Sequence, residues 1–230
     1  MFNLGIMKLL LTIAVLAGAA IMPATAEAKY REIGAVDGAV KASCPADPCQ
    51  AIGRVTGYMN RLGDRKKPFR VPHTGYITAW TIHLGRPDAS QIDFFTNLFG
   101  GPAQARIAVV RPGKKRRKRR GRAHRLLQQT PLEELDDYFG SSPTFVLRRP
   151  VRVKPGNYLA LTVPTWAPAL GLGLARDNSW LSSRQPDCEN VSQRAATQSV
   201  GGIRHYGCTY RTARLLYSVT YVPDPRPPKR

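Results

Sequence analysis

Alternation of apolar and polar residues with a period of two constrains this chain more than any other feature. Successive side chains of a strand point to opposite sides, so period-two alternation marks a half-buried strand. GYITAWTIHLG (75–85) puts Tyr76, Thr78, Trp80, Ile82 and Leu84 on one face. QARIAVVRP (104–112) sets Ala105, Ile107 and Val109 against Ala108 and Val110. It stops at Pro112, which has no amide to give to a sheet. NYLALTVP (157–164) aligns Leu159, Leu161 and Val163, and ARLLYSVTYVP (213–223) aligns Ala213, Leu215, Tyr217, Val219 and Tyr221. TFVLRRPVRV (144–153) is a further extended piece, expected to break at Pro150. QAIGRVTGYM (50–59) is a weaker strand interrupted by Gly53 and Gly57. Lys154-Pro155-Gly156 reads as a turn, with proline setting φ and glycine accepting a positive one.

No long amphipathic helix competes with these strands. One short helix is expected over TPLEELDDYF (130–139): Thr130 would cap it, Pro131 would take the first position, and Glu133 and Glu134 the first turn. In IDFFTNLFGGPAQAR (92–106), Phe94, Phe95 and Phe99 read as core residues before a Gly-Gly-Pro turn. The fold class expected is all-β, a jelly-roll or Greek-key β-sandwich with long loops and at most one or two short helices. The long connections at 86–103, 112–143 and 165–212 suit strands that cross between sheets better than a barrel of hairpins.

The N-terminus reads as a secretory signal peptide over 1–28. Lys8 precedes an apolar run from Leu9 to Ile21, and Ala24, Ala26 and Ala28 supply small-residue cleavage positions. The run is shorter than the ~20 residues that span a bilayer, so no transmembrane span is expected after cleavage. Cleavage would remove one lysine (Lys8) and one glutamate (Glu27), leaving the net charge at +20. Residues 29–43 read as a lead-in, 44–223 as one sandwich domain, and the proline-rich 224–230 as a disordered tail. In an exported chain the four cysteines read as disulfides, and loop closure favours the local pairs Cys44–Cys49 and Cys188–Cys208.

RPGKKRRKRRGRAHR (111–125) carries ten of the chain's lysines and arginines in fifteen residues. Ten like charges cannot be buried, so this stretch is expected as a solvated tip between a strand ending at 111 and an extended segment resuming near 124. Lys114, Lys115, Arg116, Arg117, Lys118, Arg119 and Arg120 are the candidate polyanion-binding residues. The expected partner is an anionic cell-wall polymer, an anionic lipid or a polysaccharide. Nucleic acid ranks lower, because 111–125 has no aromatic ring for stacking bases.

A second candidate lies in TWAPALGLGLARDNSWLSSRQPDC (165–188). Trp166 and Trp180 in a loop beside Asp177 and Asn178 would suit a carbohydrate-binding module, the rings covering a sugar and the polar groups taking its hydroxyls. Catalysis has little local support. The histidines His73, His83, His124 and His205 are scattered, and neither H-E-x-x-H nor G-x-S-x-G occurs. A triad assembled in space stays open, which keeps a secreted hydrolase as a further alternative. The acidic cluster Glu133, Glu134, Asp136 and Asp137 lacks the spacing of a calcium loop, and the cysteine spacing does not match a zinc site. No cofactor or metal is expected.

The run FVLRRPVRVKPGNYLALTVPTW (145–166), together with 75–85, resembles exported β-sandwich domains of bacterial, notably actinobacterial, surface proteins. The resemblance implies a jelly-roll-like sandwich and names no activity. The expectation for the whole is a secreted, non-enzymatic β-sandwich protein associating electrostatically with cell-envelope or extracellular polyanions.

Overall fold

A computed structural model describes residues 30–36, 38–114, 121–194 and 197–225. The expected signal peptide (1–28), Lys115–Arg120 and the last five residues lie outside the described residues. In chain order the strands β1 (Arg31–Ile33), β2 (Ile52–Leu62), β3 (Arg65–Lys66) and β4 (Gly75–Ile82) precede the helix α1 (Ala89–Phe99). Next come β5 (Gln104–Pro112), β6 (Arg122–Gln129), β7 (Glu133–Glu134) and a 3₁₀ turn at Asp136–Tyr138. β8 (Thr144–Val153), β9 (Tyr158–Ala167), β10 (Leu170–Gly171) and β11 (Ser179–Ser182) follow. β12 (Ile203–Tyr206), β13 (Cys208–Arg211), β14 (Arg214–Leu215) and β15 (Tyr217–Pro223) complete the fold.

The fold is all-β with a single α-helix among the described residues, as the alternation demanded. A small sheet runs β1-β15-β4-β8. A large one runs β12-β6-β5-β9-β2-β11-β13, with β3 added to β2 and β7 to β5. Neighbours such as β2–β9, β4–β8 and β4–β15 are far apart in sequence, so the chain repeatedly crosses between sheets. One hydrophobic core fills the space between them. It is stitched across by the Tyr217 hydroxyl of β15, which donates to the Leu159 carbonyl of β9 at 2.8 Å, and by Phe69 packed 4.4 Å from the Tyr217 ring.

The large sheet does not stay open. β12 and β13 occupy its opposite edges, yet only Gly207 separates them in sequence. The sheet must curl until those two edges meet at that corner, which gives half of the sandwich the form of a nearly closed barrel.

Several expectations shift in detail. Ile77 and Ala79 pair with adjacent residues of β15, Tyr221 and Thr220, so Thr78 is an extra residue in β4. That bulge flips the phase of the strand. Ile77, Trp80 and Ile82 face the core, while Tyr76 is exposed and Thr78 half-buried rather than sharing the face of Trp80. β8 runs through Pro150 instead of breaking, because its register slips between Val146 and Val151 and the proline sits in the slip. The lead-in is part of the domain: β1 pairs with β15, Ile33 is buried, and the Arg214 guanidinium donates to the Gly34 and Ala35 carbonyls.

The helix expected at 130–139 does not form. The Thr130 hydroxyl accepts from the Ile107 amide at 3.0 Å, and Glu133 and Glu134 pair with β5. The helix lies at 89–99 instead. Asp88 and Gln91 form a reciprocal capping box and Gly100 closes the other end at φ +70°. Phe95 and Phe99 turn inward, whereas Phe94, expected in the core, is exposed. The helix packs on β9, where Phe95 stacks 5.1 Å from Trp166 and Phe139 closes the other flank at 5.5 Å. The Trp166 indole donates to the Gly101 carbonyl at 3.2 Å. Trp166→Ala is expected to destabilise the fold by about 3–5 kcal/mol, read from the urea midpoint. A loss below about 1 kcal/mol would contradict this packing.

Candidate functional site

The flanks of the basic stretch form a hairpin, as its sequence setting suggested. β5 and β6 pair as far as Arg111 opposite Arg125 and Pro112 opposite His124, and the Gly113 amide donates to the Ala123 carbonyl at 2.7 Å. Lys114 is exposed at the outer end of this ladder. Lys115, Arg116, Arg117, Lys118, Arg119 and Arg120 lie outside the described residues. The chain re-enters through Gly121 at φ +73°, where a Cβ would sit 2.2 Å from the Tyr206 carbonyl oxygen. Only glycine fits that approach.

Beneath the hairpin lies a ring cluster. Tyr58 of β2 packs against Tyr158 of β9 at 4.5 Å and Tyr206 of β12 at 5.5 Å, and His124 of β6 lies 4.4 Å from Tyr206. His124 Nδ1 is 2.9 Å from the Arg122 carbonyl, which can only accept, so Nδ1 carries the proton. Nε2 is therefore the acceptor for the Tyr58 hydroxyl at 2.9 Å. The Tyr206 hydroxyl donates to Gln198 Oε1, and Gln198 Nε2 donates to the carbonyl of His124 at 3.1 Å. Every polar group in the cluster but the Tyr158 hydroxyl is thus engaged within the protein.

Two cavities open around this cluster. The first, a cleft of about 600 Å³, runs along the hairpin base and is lined by Lys67, Arg70, Arg111, Arg122, Arg152 and Lys154. All six are exposed, and no carboxylate lines the cleft among the described residues. Local turns bring them together. The Arg70 amide donates to the Lys67 carbonyl, the Val71 amide to the Asn157 carbonyl, and the Gly156 amide to the Val71 carbonyl. The Asn157 side chain accepts from the Lys154 amide at 2.9 Å, setting the turn before β9. Arg152 lies over the Tyr76 ring and is neutralised at the rim by Asp224 at 2.9 Å. Converging like charges with few counter-charges raise the local concentration of anions.

The second cavity, about 710 Å³, is the mouth of the curled sheet, where β12 turns into β13. It is lined by Tyr58, Tyr158, Tyr206 and Tyr210, by His124, Asn60, Thr209 and Glu189, and by the Cys188–Cys208 disulfide. Lys67, Pro112, Arg122 and Tyr158 line both cavities, so the two form one continuous site.

Both disulfides pair as the sequence suggested, Cys44 with Cys49 and Cys188 with Cys208. The tryptophan site does not assemble. Trp166 is fully buried under α1, and Trp180 is buried with its ring stacked 4.2 Å from Tyr210. The two lie on strands rather than in a loop, so neither ring face is open to a sugar. Asp177 and Asn178 are engaged with each other, the Asn178 amide donating to Asp177 Oδ1 at 3.0 Å. Of the acidic cluster, Asp136 accepts from the Ala103 amide at 3.0 Å and burial raises its pKa. No group of three or more metal-ligating side chains occurs among the described residues.

For a hydrolase the relevant contact seen is Ser142 Oγ to His83 Nδ1 at 2.9 Å. Neither residue lines the two cavities, and the nearby Glu32 carboxylate accepts from the Ser218 hydroxyl instead. Comparison with protein-family models, with curated proteins and with solved structures returns no match.

Burial lowers the pKa of His124 to about 4, and the Arg122 and His205 charges push the same way against the favourable hydrogen bond to the Arg122 carbonyl. The unfolded imidazole takes a proton near 6.5, the folded one only near 4. Stability that depends on the neutral ring is complete above pH 6.5 and is lost as pH falls from there toward 4. The loss amounts to about 3 kcal/mol. His124→Gln should therefore lose about 3 kcal/mol less than the parent chain between pH 7.5 and pH 4 in paired urea titrations. Identical losses in both proteins would rule out this role.

Proposed function

We propose that the protein is exported and associates electrostatically with polyanions of the cell envelope or the extracellular space, as a binding protein rather than an enzyme. The observation that carries this reading is the cleft lined by six exposed cations, set directly beneath a hairpin whose sequence holds seven more between 114 and 120. The cleft offers an extended polyanion a fixed seat, and the basic run adjoining it in sequence adds further cations. Two disulfides fit an oxidising compartment, and the N-terminal apolar run with its Ala-x-Ala positions supplies a route there. No described helix is long and apolar enough to cross a membrane.

Binding of this kind exchanges bound counterions for lysines and arginines, so affinity falls linearly with the logarithm of salt concentration. Retention on a sulfated matrix should collapse by a few hundred millimolar salt. Deleting 114–120 should flatten the salt dependence, and replacing Arg70, Arg111, Arg122 and Lys154 together by Gln should flatten it further. If the salt slope is unchanged by both variants, the assigned surface is wrong. Export predicts that the protein recovered from the medium or envelope begins at Glu27 or Lys29, as read by N-terminal sequencing. Recovery only in the cytoplasm with residues 1–28 intact would refute it.

A further inference from the structure

We propose that the polyanion is an acidic polysaccharide, its charged substituents seated in the basic cleft and the hydroxyls of one sugar unit in the barrel-mouth cavity. This rests on the polyanion reading above and narrows it to one ligand class.

The two halves of the site differ in charge. The cleft carries six cations and no carboxylate among the described residues. The barrel mouth, which shares Lys67 and Arg122 with it, adds one carboxylate, Glu189, and one further cation, Arg211. A ligand charged along its whole length, such as polyphosphate, would meet that carboxylate with repulsion. A ligand that alternates anionic groups with neutral hydroxyls would meet it with a hydrogen bond.

The open polar groups of the mouth point the same way. The Asn60 amide, the Thr209 hydroxyl, the Glu189 carboxylate and the Tyr158 hydroxyl have no hydrogen-bonding partner among the described residues. They supply donors and acceptors together, which is what a polyhydroxylated ring requires. Tyr158 and Arg122 stand where the cavities join, so one ligand can engage both.

Other polyanions fit less well. A single-stranded nucleic acid needs free aromatic faces. Tyr58 is enclosed by Tyr158, Tyr206 and His124, while Tyr210 has Trp180 stacked on it and the Arg184 guanidinium 5.7 Å from its centre. An anionic lipid needs an apolar sleeve for its chains, whereas the aliphatic lining of the joined cavities is Val109, Pro112, Leu127, Pro155 and Leu181, scattered among charged and polar side chains.

The test is calorimetric titration of the full chain at about 0.15 M ionic strength with a sulfated heparin hexasaccharide, polyphosphate and single-stranded DNA of matched charge. The double variant Asn60→Leu/Thr209→Val should weaken hexasaccharide binding about tenfold and change polyphosphate binding less than about twofold. Arg70→Gln/Arg122→Gln should weaken both. Glu189→Lys, at an exposed position, should raise polyphosphate affinity relative to the hexasaccharide, and melting temperatures check that each variant folds. If the Asn60/Thr209 variant affects both ligands equally, or DNA binds more tightly than the hexasaccharide, the polysaccharide assignment fails while the polyanion reading stands. If none of the three binds, both fall.

Discussion

The meeting of the two edges of the large sheet is the constraint on which the rest depends. A seven-strand path whose first and last members are joined by a single glycine cannot lie flat. Tyr206 and Cys208, on either side of Gly207, are both buried. Tyr206 locks inward onto His124 and Gln198, and Cys208 locks sideways to Cys188. The closure brings the two edges together at this corner, although no ladder pairs β12 with β13 among the described residues. It also creates the mouth, because a curled sheet leaves an opening at its rim that side chains must either fill or border.

The charge of the protein divides into two populations with different work. Arg184 and Arg214 are buried and donate to backbone carbonyls, at Gly53 for Arg184 and at Gly34 and Ala35 for Arg214. Arg54 likewise spends its guanidinium on the carbonyls of Phe99 and Ser192, tying the end of α1 to the 190s loop. These arginines hold irregular backbone, at the register shift after Gly53 in β2, the end of α1 and the loops at 34–35 and 192. The cations around the cleft are exposed, and Arg152 alone among its six has an ion-pair partner among the described residues. A net charge of +20 therefore overstates what is available to a ligand, and the cleft marks where the available part is concentrated.

Much of the fold was legible because strands announce themselves locally. Alternation over 104–112 and 157–164 placed β5 and β9, and the two local cysteine pairings followed from loop closure. The phase of β4 was not legible, since one bulged residue at Thr78 reverses every assignment before it. The helix at 89–99 had its signature in Asp88-x-x-Gln91 and in the spacing of Ile92, Phe95 and Phe99, but the adjacent phenylalanines read equally as extended core. Trp166 and Trp180 were misplaced because their neighbours are rich in turn residues although their own positions are strands. The basic run was plain in the sequence, but the hairpin that carries it lay within what read as a long connection at 112–143. Its companions Lys67, Arg70, Arg152 and Lys154 were not legible, because only the crossing of strands between sheets brings them beneath it.

β1 and β15 give the architecture a direction in time. The strand nearest the start of the described chain pairs only with the strand nearest its end, and β15 sits between β1 and β4 in the small sheet. A polypeptide emerging N-terminus first, from a ribosome or through a translocation pore, cannot complete that sheet until its last strand has arrived. Until then β4 lacks one neighbour and β1 has none. The long-range pairing that makes such topologies slow to fold thus ties closure of the small sheet to the arrival of β15.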